Sequence, residues 1–418
     1  MINDPVAWLY GLQSHGVKLG LEGIRTLLAL LDQPERAFPS VLIGGTNGKG
    51  SVAAMVDAML GASGRRTGLY TSPHLVRPNE RIRIAGEDIA TPELHHRLRL
   101  VREACERGVA DGSLAAHPSF FEVMTATAFC AFQHGRIDTA VLEVGLGGRL
   151  DATNAADPLA SAIVTIALDH VGTLGTTIEA IAVEKAGIAR RGRALVSGVA
   201  QREAVAVIRE RCDAIGARFV DARSAPLPSG VRLSLNGAHQ RDNARVAAVT
   251  FEELVRSIGL PAGAREIRQG LENARWDGRL QLVPGSPAIL LDGAHNAAAA
   301  EVLGGHLALR AGPKPVLLFG AMADKDIPGI LGPLAPYVAS VVATRPPVLR
   351  GADCRDVAAA ARALGLPAGA EADLGAALER ARALAGPGGL VLVAGSLYLV
   401  GAVLTALEGA GAPGPVSM

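Results

Sequence analysis

The chain has 418 residues, of which 49% are hydrophobic and 19% charged, and its formal net charge at pH 7 is +1. This length exceeds one compact core and favours two domains, and the near-neutral charge excludes a polybasic nucleic-acid or membrane footprint. The sequence does not start with a basic segment and a long apolar core, and no apolar run approaches the roughly 20 residues that cross a bilayer. We therefore expect a cytoplasmic protein with neither a nucleic-acid nor a membrane partner.

Short apolar runs alternate with helical patterns along the chain. Continuous branched-apolar runs followed by Gly, Asp or Thr are typical of strands buried on both faces of a parallel sheet. The predicted strands are 40–45, 139–145, 161–168, 193–198, 288–293, 315–320, 340–345 and 389–395. The predicted helices include 51–62, 93–108, 240–258, 297–310 and 355–364. The alternation predicts two α/β domains, with the turn-rich stretch 272–287 as their junction.

Cysteine and lysine are both sparse. The cysteines contain no CxxC pair, which favours reduced, mostly buried thiols over a disulfide framework or a zinc site; they are Cys105, Cys130, Cys212 and Cys354. Lysine occurs only at positions 18, 49, 185, 314 and 325. Each lysine is therefore of interest as a candidate functional residue.

The strongest local signal is GGTNGKGS at 44–51, which follows a predicted strand and precedes a predicted helix. Glycines allow backbone N–H groups to converge on phosphate oxygens, and a helix N-terminus adds favourable potential. Lys49 is placed to reach the terminal phosphates. The motif departs from GxxxxGK[ST] because Gly50 separates Lys49 from Ser51. The alternative interpretation is a glycine-rich turn that binds no phosphate.

Two further polar groups lie at or just past the ends of predicted strands. Glu143 ends a buried strand, where a carboxylate can hold the magnesium ion that bridges ATP phosphates. His170 lies just past the strand 161–168. Ligands of open α/β sheets gather at the carboxyl ends of the strands, so we expect both side chains to lie near the 44–51 loop. Each residue taken alone also fits a local structural role.

Lys185 and the segment DGAHN (292–296) are weaker signals. Lys185 lies on a short amphipathic stretch, where an ordinary solvated lysine is the alternative. DGAHN follows the apolar residues AILL (288–291) that begin the predicted strand 288–293, and it offers Asp292, His295 and Asn296 as a polar site. A helix-capping role for Asp292 or Asn296 competes with that interpretation.

These segments together resemble the Mur ligase superfamily, and closely the bacterial folylpolyglutamate synthase / dihydrofolate synthase family. The resemblance covers nearly the whole chain in collinear order. It rests on GTNGKGS (45–51), TSPHL (71–75), NERIRI (79–84), FFE (120–122), EVGLGGRLDATN (143–154), DH (169–170), EKAGI (184–188), HQRDNA (239–244), DGR (277–279) and DGAHN (292–296).

The resemblance implies an α/β fold of two domains. An N-terminal P-loop ATPase-like parallel-sheet domain that binds ATP and folate would span residues 1–280. A smaller C-terminal Rossmann-like α/β domain with the glutamate-ligase function would span 281–408, and residues 409–418 would be a flexible tail.

The resemblance also implies roles for individual residues. Those that would bind ATP are Thr46, Asn47, Gly48, Lys49, Gly50, Ser51, Asn243, Arg279 and Asp292. Ser72, Glu143 and His170 would bind two magnesium ions, and Lys185 resembles a lysine that is carbamylated. The pterin-side pocket would be lined by Phe120, Phe121, Glu122, Leu150, Asp151 and Ala152. His295 would lie near the reacting phosphate or the incoming glutamate, so that Lys49, Lys185 and His295 would be catalytic.

The implied reaction joins L-glutamate to dihydropteroate, to the γ-carboxylate of (tetrahydro)folates, or to both, with ATP and through an acyl phosphate. Only small molecules are then expected as partners, and the chain is expected to be a monomer. Activity on dihydropteroate is favoured because two aromatic rings can cover a pterin while Glu122 or Asp151 accepts hydrogen bonds from its edge. Two observations leave a monofunctional folylpolyglutamate synthase open. Phe120 and Phe121 begin a stretch that also predicts a buried helix, and monofunctional enzymes carry similar segments.

Two other functions fit the sequence less well. A Mur-type cell-wall ligase carries a nucleotide-sugar domain before the phosphate loop, whereas only 43 residues precede Gly44 in this sequence. An ATP-binding switch would have no use for Lys185, His170 or DGAHN. One departure from the family is visible, because Asp277 replaces the usual proline before Gly278 and Arg279, which leaves the aim of Arg279 open.

Overall fold

The computed structural model describes residues 4–12, 20–260 and 263–409. Of the expected tail 409–418, residues 410–418 therefore lie outside the described residues. Within the described ranges the chain forms two compact units. The first contains the chain up to Pro73 together with Pro78–Ser234 and Gln240–Arg275, and the second contains His74–Arg77, Leu235–His239 and the chain from Trp276.

The first unit is built on an eight-stranded sheet with the strand order β4-β3-β2-β5-β1-β6-β7-β8. Its strands are β1 (Ser40–Gly44), β2 (Thr67–Tyr70), β3 (Ile82–Ile84), β4 (Glu87–Asp88), β5 (Thr139–Glu143), β6 (Ala160–Ile163), β7 (Ala194–Ser197) and β8 (Arg218–Asp221). Strands β2, β5, β1, β6, β7 and β8 pair in parallel in that spatial order. Strands β3 and β4 add an antiparallel edge next to β2.

Helices cover this sheet in two layers. The helices of the unit are α1 (Pro5–Gly11), α2 (Glu22–Leu30), α3 (Lys49–Ala62), α4 (Thr91–Ala110), α5 (Phe120–His134), α6 (Val171–Leu174), α7 (Ile178–Ala186), α8 (Arg202–Ile215), α9 (Gln240–Ser257) and α10 (Ala264–Asn273). Leu42 of β1 packs in one core cluster with α4, α5, α7 and α8, whereas α3, α9 and α10 contact one another in the second layer. Burial on both faces explains why β1 and β5 are continuous apolar runs.

The second unit contains a six-stranded sheet with the order β13-β12-β11-β14-β10-β9. Its strands are β9 (Gln281–Val283), β10 (Ala288–Leu291), β11 (Val316–Phe319), β12 (Ser340–Ala343), β13 (Ala368–Ala370) and β14 (Leu390–Ala394). Its helices are α11 (Ala297–Ala308), α12 (Ile327–Leu331), α13 (Cys354–Ala363), α14 (Leu374–Ala385) and α15 (Leu397–Leu407). Leu290 and Leu317 pack into one core cluster while Ile289, Leu291 and Leu318 pack into another. Successive side chains along these strands therefore point to opposite faces of the sheet, and both faces are buried.

The α/β fold and all eight predicted strands are confirmed, and so are the five predicted helices. The strand predicted at 161–168 is shorter than expected, since β6 ends at Ile163. Beyond it, the chain continues beside the 44–47 loop: Thr165 O accepts from Thr46 N at 2.8 Å and Ala167 N donates to Thr46 Oγ1 at 3.0 Å. The predicted junction 272–287 contains the antiparallel edge strand β9. Among the described residues, no helix is both long and apolar enough to span a membrane.

Candidate functional site

Parallel pairing brings the predicted polar groups of the first unit to one edge of its sheet. In register, Ile43 of β1 lies beside Glu143 of β5 and Gly44 lies beside Ile163 of β6. The segments that follow these three strands therefore leave the sheet together, as expected for the ligand-binding edge of an open α/β sheet.

The 44–51 loop ends in the N-terminus of α3, which begins at Lys49. Its N-cap residue, Gly48, has φ 83° and offers no side-chain cap to the helix. A Cβ atom on Gly48 would lie 2.7 Å from Asn243 Oδ1 and 2.9 Å from Val164 Cγ1, so only glycine fits without displacement. The first N–H groups of a helix lack intrahelical partners, and in α3 the N-cap residue has no side chain that could accept from them. A bound anion could accept from these N–H groups instead. The loop thus fits a phosphate.

Neighbouring elements hold this loop in place. Thr165 Oγ1 accepts from Asn47 N and donates to Asn47 O, both at 2.9 Å. On the other side, fully buried Gln240 donates through Nε2 to Ser51 Oγ at 3.4 Å and accepts from Asn243 Nδ2 at 2.9 Å. Nothing in the apolar run 161–168 marked Thr165 as functional. Gln240 stands in the family motif HQRDNA, which could have indicated it.

Two lysines lie at this loop. Lys49 Nζ donates to Thr46 O at 3.2 Å, and Lys185, in the last turn of α7, donates through Nζ to Gly45 O at 2.9 Å. Lys185 is 4% exposed, which excludes an ordinary solvated lysine. Burial and the charge of Lys49 lower the pKa of Lys185 to about 7, although Asp169 and Asp151 oppose the shift. Near neutral pH, a substantial fraction of this amine is therefore uncharged.

Glu143 and Ser72 lie together at the ends of neighbouring strands. Glu143 is 4% exposed, and its Oε2 accepts from Ser72 N at 3.0 Å. Within the described ranges, no three His, Cys, Asp or Glu side chains form a metal cluster. Magnesium is commonly held by one or two carboxylates, waters and substrate phosphates, so a buried carboxylate and a serine beside a phosphate loop suit that hard cation.

His170 follows Asp169 at the start of α6. Its backbone φ is 51°, and its backbone N–H donates to Asp169 Oδ1 at 2.8 Å. Of the His170 side chain, 45% is exposed. The structure therefore places an accessible imidazole beside the acid that also acts on Lys185.

The predicted aromatic pair opens helix α5. Phe120 stacks on Tyr10 with ring centroids 5.8 Å apart, and the Arg81 guanidinium lies 5.1 Å from the Phe120 centroid. Phe121 lies 6.0 Å from Tyr70 between centroids, and its Cζ would be 2.5 Å from a Cβ at Gly145. Both rings pack against the main core, which confirms the predicted buried helix, and the pocket role of the two rings stays a prediction.

Glu122 and Asp151 support the backbone around them. Glu122 completes a capping box with Ser119, whose N and Oγ donate to Glu122 Oε2 at 2.8 and 2.7 Å. Asp151 Oδ2 accepts from Leu146 N at 2.9 Å, and its Oδ1 accepts from Thr153 N at 3.0 Å. Burial raises the pKa of Asp151, and these hydrogen bonds oppose the shift. Leu150 and Ala152 flank it, with Leu150 partly exposed and Ala152 buried.

In the second unit, Asp292 organises the turn that carries Arg279. Its Oδ2 accepts from Leu280 N at 3.0 Å and its Oδ1 from Ala294 N at 2.9 Å. Gly278 N donates to Gln281 Oε1 at 2.8 Å, so hydrogen bonds brace this turn where the family has a proline. The Arg279 guanidinium lies over Gly293, whose Cβ would be 2.5 Å from Nη1.

His295 and Asn296 follow in the same segment. His295 Nδ1 lies 2.8 Å from Gly293 O, and its side chain is partly exposed. Asn296 caps α11, because its Oδ1 accepts from Ala299 N at 2.9 Å. The capping alternative is thus confirmed for Asn296, whereas Asp292 braces a turn and caps no helix.

Comparison with known proteins places the chain in a family. Residues 278–397 match the family described as Mur ligase, glutamate ligase domain. The chain is 36% identical over 345 residues to a Bacillus subtilis protein named Dihydrofolate synthase/folylpolyglutamate synthase, with 77% of this chain and 80% of that protein covered. The chain belongs to the folylpolyglutamate synthase/dihydrofolate synthase family. This is a family of ATP-dependent ligases within the Mur ligase superfamily.

Other relatives extend this result. A Haloferax volcanii protein named Probable bifunctional folylpolyglutamate synthase/dihydropteroate synthase is 39% identical over 426 residues, which cover 95% of this chain and 49% of that protein. The chain thus spans about half the length of that family member.

Solved structures of family members agree with the fold. A Mycobacterium tuberculosis folylpolyglutamate synthase complexed with ADP has a TM-score of 0.90 at 32% identity, covering 96% of this chain and 99% of that one. An Escherichia coli FolC in complex with DHPP and ADP has a TM-score of 0.85 at 30% identity, covering 98% of each chain. A Yersinia pestis bifunctional enzyme complexed with AMPPNP and Mn ion has a TM-score of 0.86 at 32% identity, covering 97% and 98%.

Proposed function

We propose that this protein uses ATP to join L-glutamate to a folate-type carboxylate through an acyl phosphate. The observation that carries the proposal is the meeting of three features at one sheet edge of the first unit. These are the uncapped N-terminus of α3, the two lysines Lys49 and Lys185, and the buried strand-end carboxylate of Glu143. Membership of the ligase family supports it.

ATP would be bound by Thr46, Asn47, Gly48, Lys49, Gly50 and Ser51, with its phosphates against the α3 N-terminus. Asn243 would reach the nucleotide from beside Gly48, which it nearly touches. Ser72 and Glu143 would hold one magnesium ion, and His170 would hold a second with the Lys185 carbamate. The ADP bound by one family member, and the AMPPNP and manganese ion bound by another, support an ATP site with a divalent metal.

The proposed chemistry has two steps. First, an oxygen of the acid attacks the γ-phosphorus of ATP, the bond to the bridging oxygen breaks, and ADP leaves. Lys49 offsets the charge on the transferring phosphoryl group, and magnesium, when bound, supplies further positive charge there. Next, the amine of glutamate attacks the acyl carbon, phosphate leaves, and the nitrogen gives up a proton. The sum is acid, glutamate and ATP giving amide, ADP, phosphate and a proton.

Lys185 would act as a carbamate. The ammonium first loses one proton, and the nitrogen of the neutral amine then bonds to the carbon of CO₂ and loses a second proton, so that a cation becomes an anion beside the metal ions. Only the neutral amine reacts, and burial near Lys49 favours that form.

The acid would bind along Phe120, Phe121 and Leu150–Ala152. Glu122 and Asp151 already accept hydrogen bonds from nearby backbone, so their main contribution would be to shape this wall. We propose activity on dihydropteroate as well as on folates. The complex of the Escherichia coli family member with DHPP supports this choice, and a monofunctional folylpolyglutamate synthase is the alternative.

In the second unit, Arg279 would contact ATP from the turn that Asp292 braces. His295 would serve the incoming glutamate or the reacting phosphate. We also propose a functional domain division at residue 280, a few residues after Trp276, where the main segment of the second unit begins. A monomeric chain and a cytoplasmic location complete the proposal. The four free, buried cysteines suit a reducing compartment.

A substrate panel tests the function. The purified chain is supplied with Mg-ATP, L-glutamate and one acid (dihydropteroate, dihydrofolate or tetrahydrofolate), and ADP release and product mass are recorded. Products one glutamate heavier from both dihydropteroate and tetrahydrofolate are expected. A product from tetrahydrofolate alone would establish the monofunctional alternative, and ADP release indifferent to glutamate would overturn the ligase.

A further inference from the structure

Arg190 joins two segments of the first unit through its guanidinium. Nη2 donates to Asn154 O at 3.1 Å, to Asn154 Oδ1 at 2.8 Å and to Ala156 O at 3.1 Å. Nη1 donates to Ile188 O at 3.2 Å and to Ala189 O at 3.4 Å. One side chain thus spans the segment after β5 and the segment after α7.

Asn154 extends the same connection. Its Nδ2 donates to Arg149 O at 3.0 Å and to Gly187 O at 3.3 Å. It is 4% exposed, so these hydrogen bonds are protected from water. Arg190 and Asn154 therefore form one polar network between the two segments.

The two segments are also in close backbone contact. A Cβ on Gly187 would lie 2.6 Å from Arg149 Cα, and one on Gly148 would lie 3.0 Å from Lys185 O. In addition, Arg149 N donates to Glu184 O at 2.8 Å. Because the segments interlock, a shift of either one moves the other.

Each segment carries a part of the proposed site. The segment after β5 carries Leu150–Ala152, which would line the acid pocket. The segment after α7 begins at the turn that carries Lys185, whose Nζ reaches Gly45 O of the phosphate loop. We propose that Arg190 and Asn154 form a positioning clamp, remote from the substrates, that fixes the acid pocket relative to Lys185 and the phosphate loop. This inference rests on the proposed function.

Arginine suits this task because its planar guanidinium presents five donors in a fixed geometry, whereas lysine offers a single flexible ammonium. Loss of the clamp would let the acid pocket move relative to the γ-phosphate. A displacement of about 1 Å at a reacting centre can cost on the order of 10²-fold in rate.

Arg190→Met tests the clamp against Arg193→Met as a matched control. Arg193 is similarly placed, with 29% of its side chain exposed against 23% for Arg190. Its side chain donates to Asp157 O, Asp157 Oδ2 and Pro158 O, so it joins the same two segments at their far ends, just before β6 and β7. Both arginines approach Asp157, since Arg190 Nε lies 3.7 Å from Asp157 Oδ1. Arg193→Met nevertheless leaves in place the hydrogen bonds of Arg190 that form the clamp.

For Arg190→Met, we expect KM for the acid to rise about tenfold or more and kcat to fall, with KM for ATP within about twofold of wild type. Arg193→Met should leave all three near wild type. If Arg190 only stabilises the fold, Arg190→Met should lower Tm but leave KM for the acid and KM for ATP unchanged at temperatures well below Tm. That result would overturn the proposal. Equal rises in both KM values would overturn it too.

Asn154→Ala adds an independent test. The effects of Arg190→Met and Asn154→Ala on kcat/KM for the acid should be strongly non-additive, because both remove one network. Additive effects would count against the clamp.

Amide hydrogen exchange separates this inference from the proposed function. Exchange in 145–156 and 184–190 should rise more in Arg190→Met than in Arg193→Met, while 44–51 stays unchanged. If the wild-type chain shows no glutamate-dependent ADP release, the proposed function fails, and the exchange result still decides whether the clamp joins the two segments. Equal exchange in both variants would overturn the clamp itself.

Discussion

Lys185 Nζ donates to Gly45 O at 2.9 Å and thereby connects the last turn of α7 to the entrance of the phosphate loop. The amine is buried, and its pKa falls to about 7 through burial and the proximity of Lys49. Burial therefore favours the neutral amine that the proposed carbamylation requires. Lys185 cannot serve as a solubilising surface charge, so its burial requires a local function.

The pH dependence of carbamylation follows from this pKa. At fixed dissolved CO₂, the adduct should increase as pH rises through about 7, because the neutral amine becomes the major form above the pKa. The carbamate carbon can be observed by NMR with ¹³C-labelled CO₂. The signal should be absent from Lys185→Arg. Its persistence there, or a midpoint near the ordinary lysine pKa, would contradict the assignment.

Lys49→Ala should lower kcat by roughly 10²-fold or more, by analogy with the loss of one electrostatic donor at a transition state. Steady-state ADP release with saturating acid and glutamate measures the effect. Lys314→Ala, at an exposed position of the second unit, is the control and should be neutral. Near-normal kcat in Lys49→Ala would remove this residue from the mechanism.

Glu143→Gln should raise the magnesium concentration needed for half-maximal rate and lower the maximal rate. The amide oxygen can still accept from Ser72 N, so the local fold is retained while the charge that a hard cation prefers is lost. A magnesium titration measures both effects, with Glu179→Gln on the exposed face of α7 as control. An unchanged magnesium requirement would leave Glu143 a structural role.

Gly48→Ala should damage the phosphate loop. The new methyl would meet Asn243 Oδ1 at 2.7 Å, in a backbone conformation with φ 83°. We expect a loss of roughly 1–3 kcal/mol in unfolding free energy and a KM for ATP raised about tenfold or more.

Gly61→Ala is the matched control for Gly48→Ala in the same helix. No atom lies within 4 Å of its Cβ position, so alanine should stabilise by up to about 1 kcal/mol. Chemical denaturation and ATP kinetics check both variants. A Gly48→Ala enzyme with unchanged KM for ATP would show that the loop does not need this close approach.

The sequence by itself determined the alternating α/β pattern and the placement of Lys49, Glu143 and His170 at or after the ends of strands. Burial on two faces imposes continuous apolar runs, and parallel pairing gathers strand ends at one edge, so both features are encoded locally. The strands that were not predicted are β2, β3, β4, β8, β9 and β13. They are short, and all except β2 are at most partly buried, so their apolar signal is weak.

Only the tertiary structure showed which polar residues hold the residues of the proposed site in place. Thr165 forms a hydrogen bond with a residue 118 positions away in the sequence, and Gln240 with one 189 positions away. The hydrogen-bond partners of Arg190 lie up to 36 positions away. It also assigned Asp151 and Asp292 to bracing turns, and it buried Lys185 in a helix that looked amphipathic. Hydrogen-bond partners and desolvation depend on contacts between distant segments, and no local spacing of residue types records them.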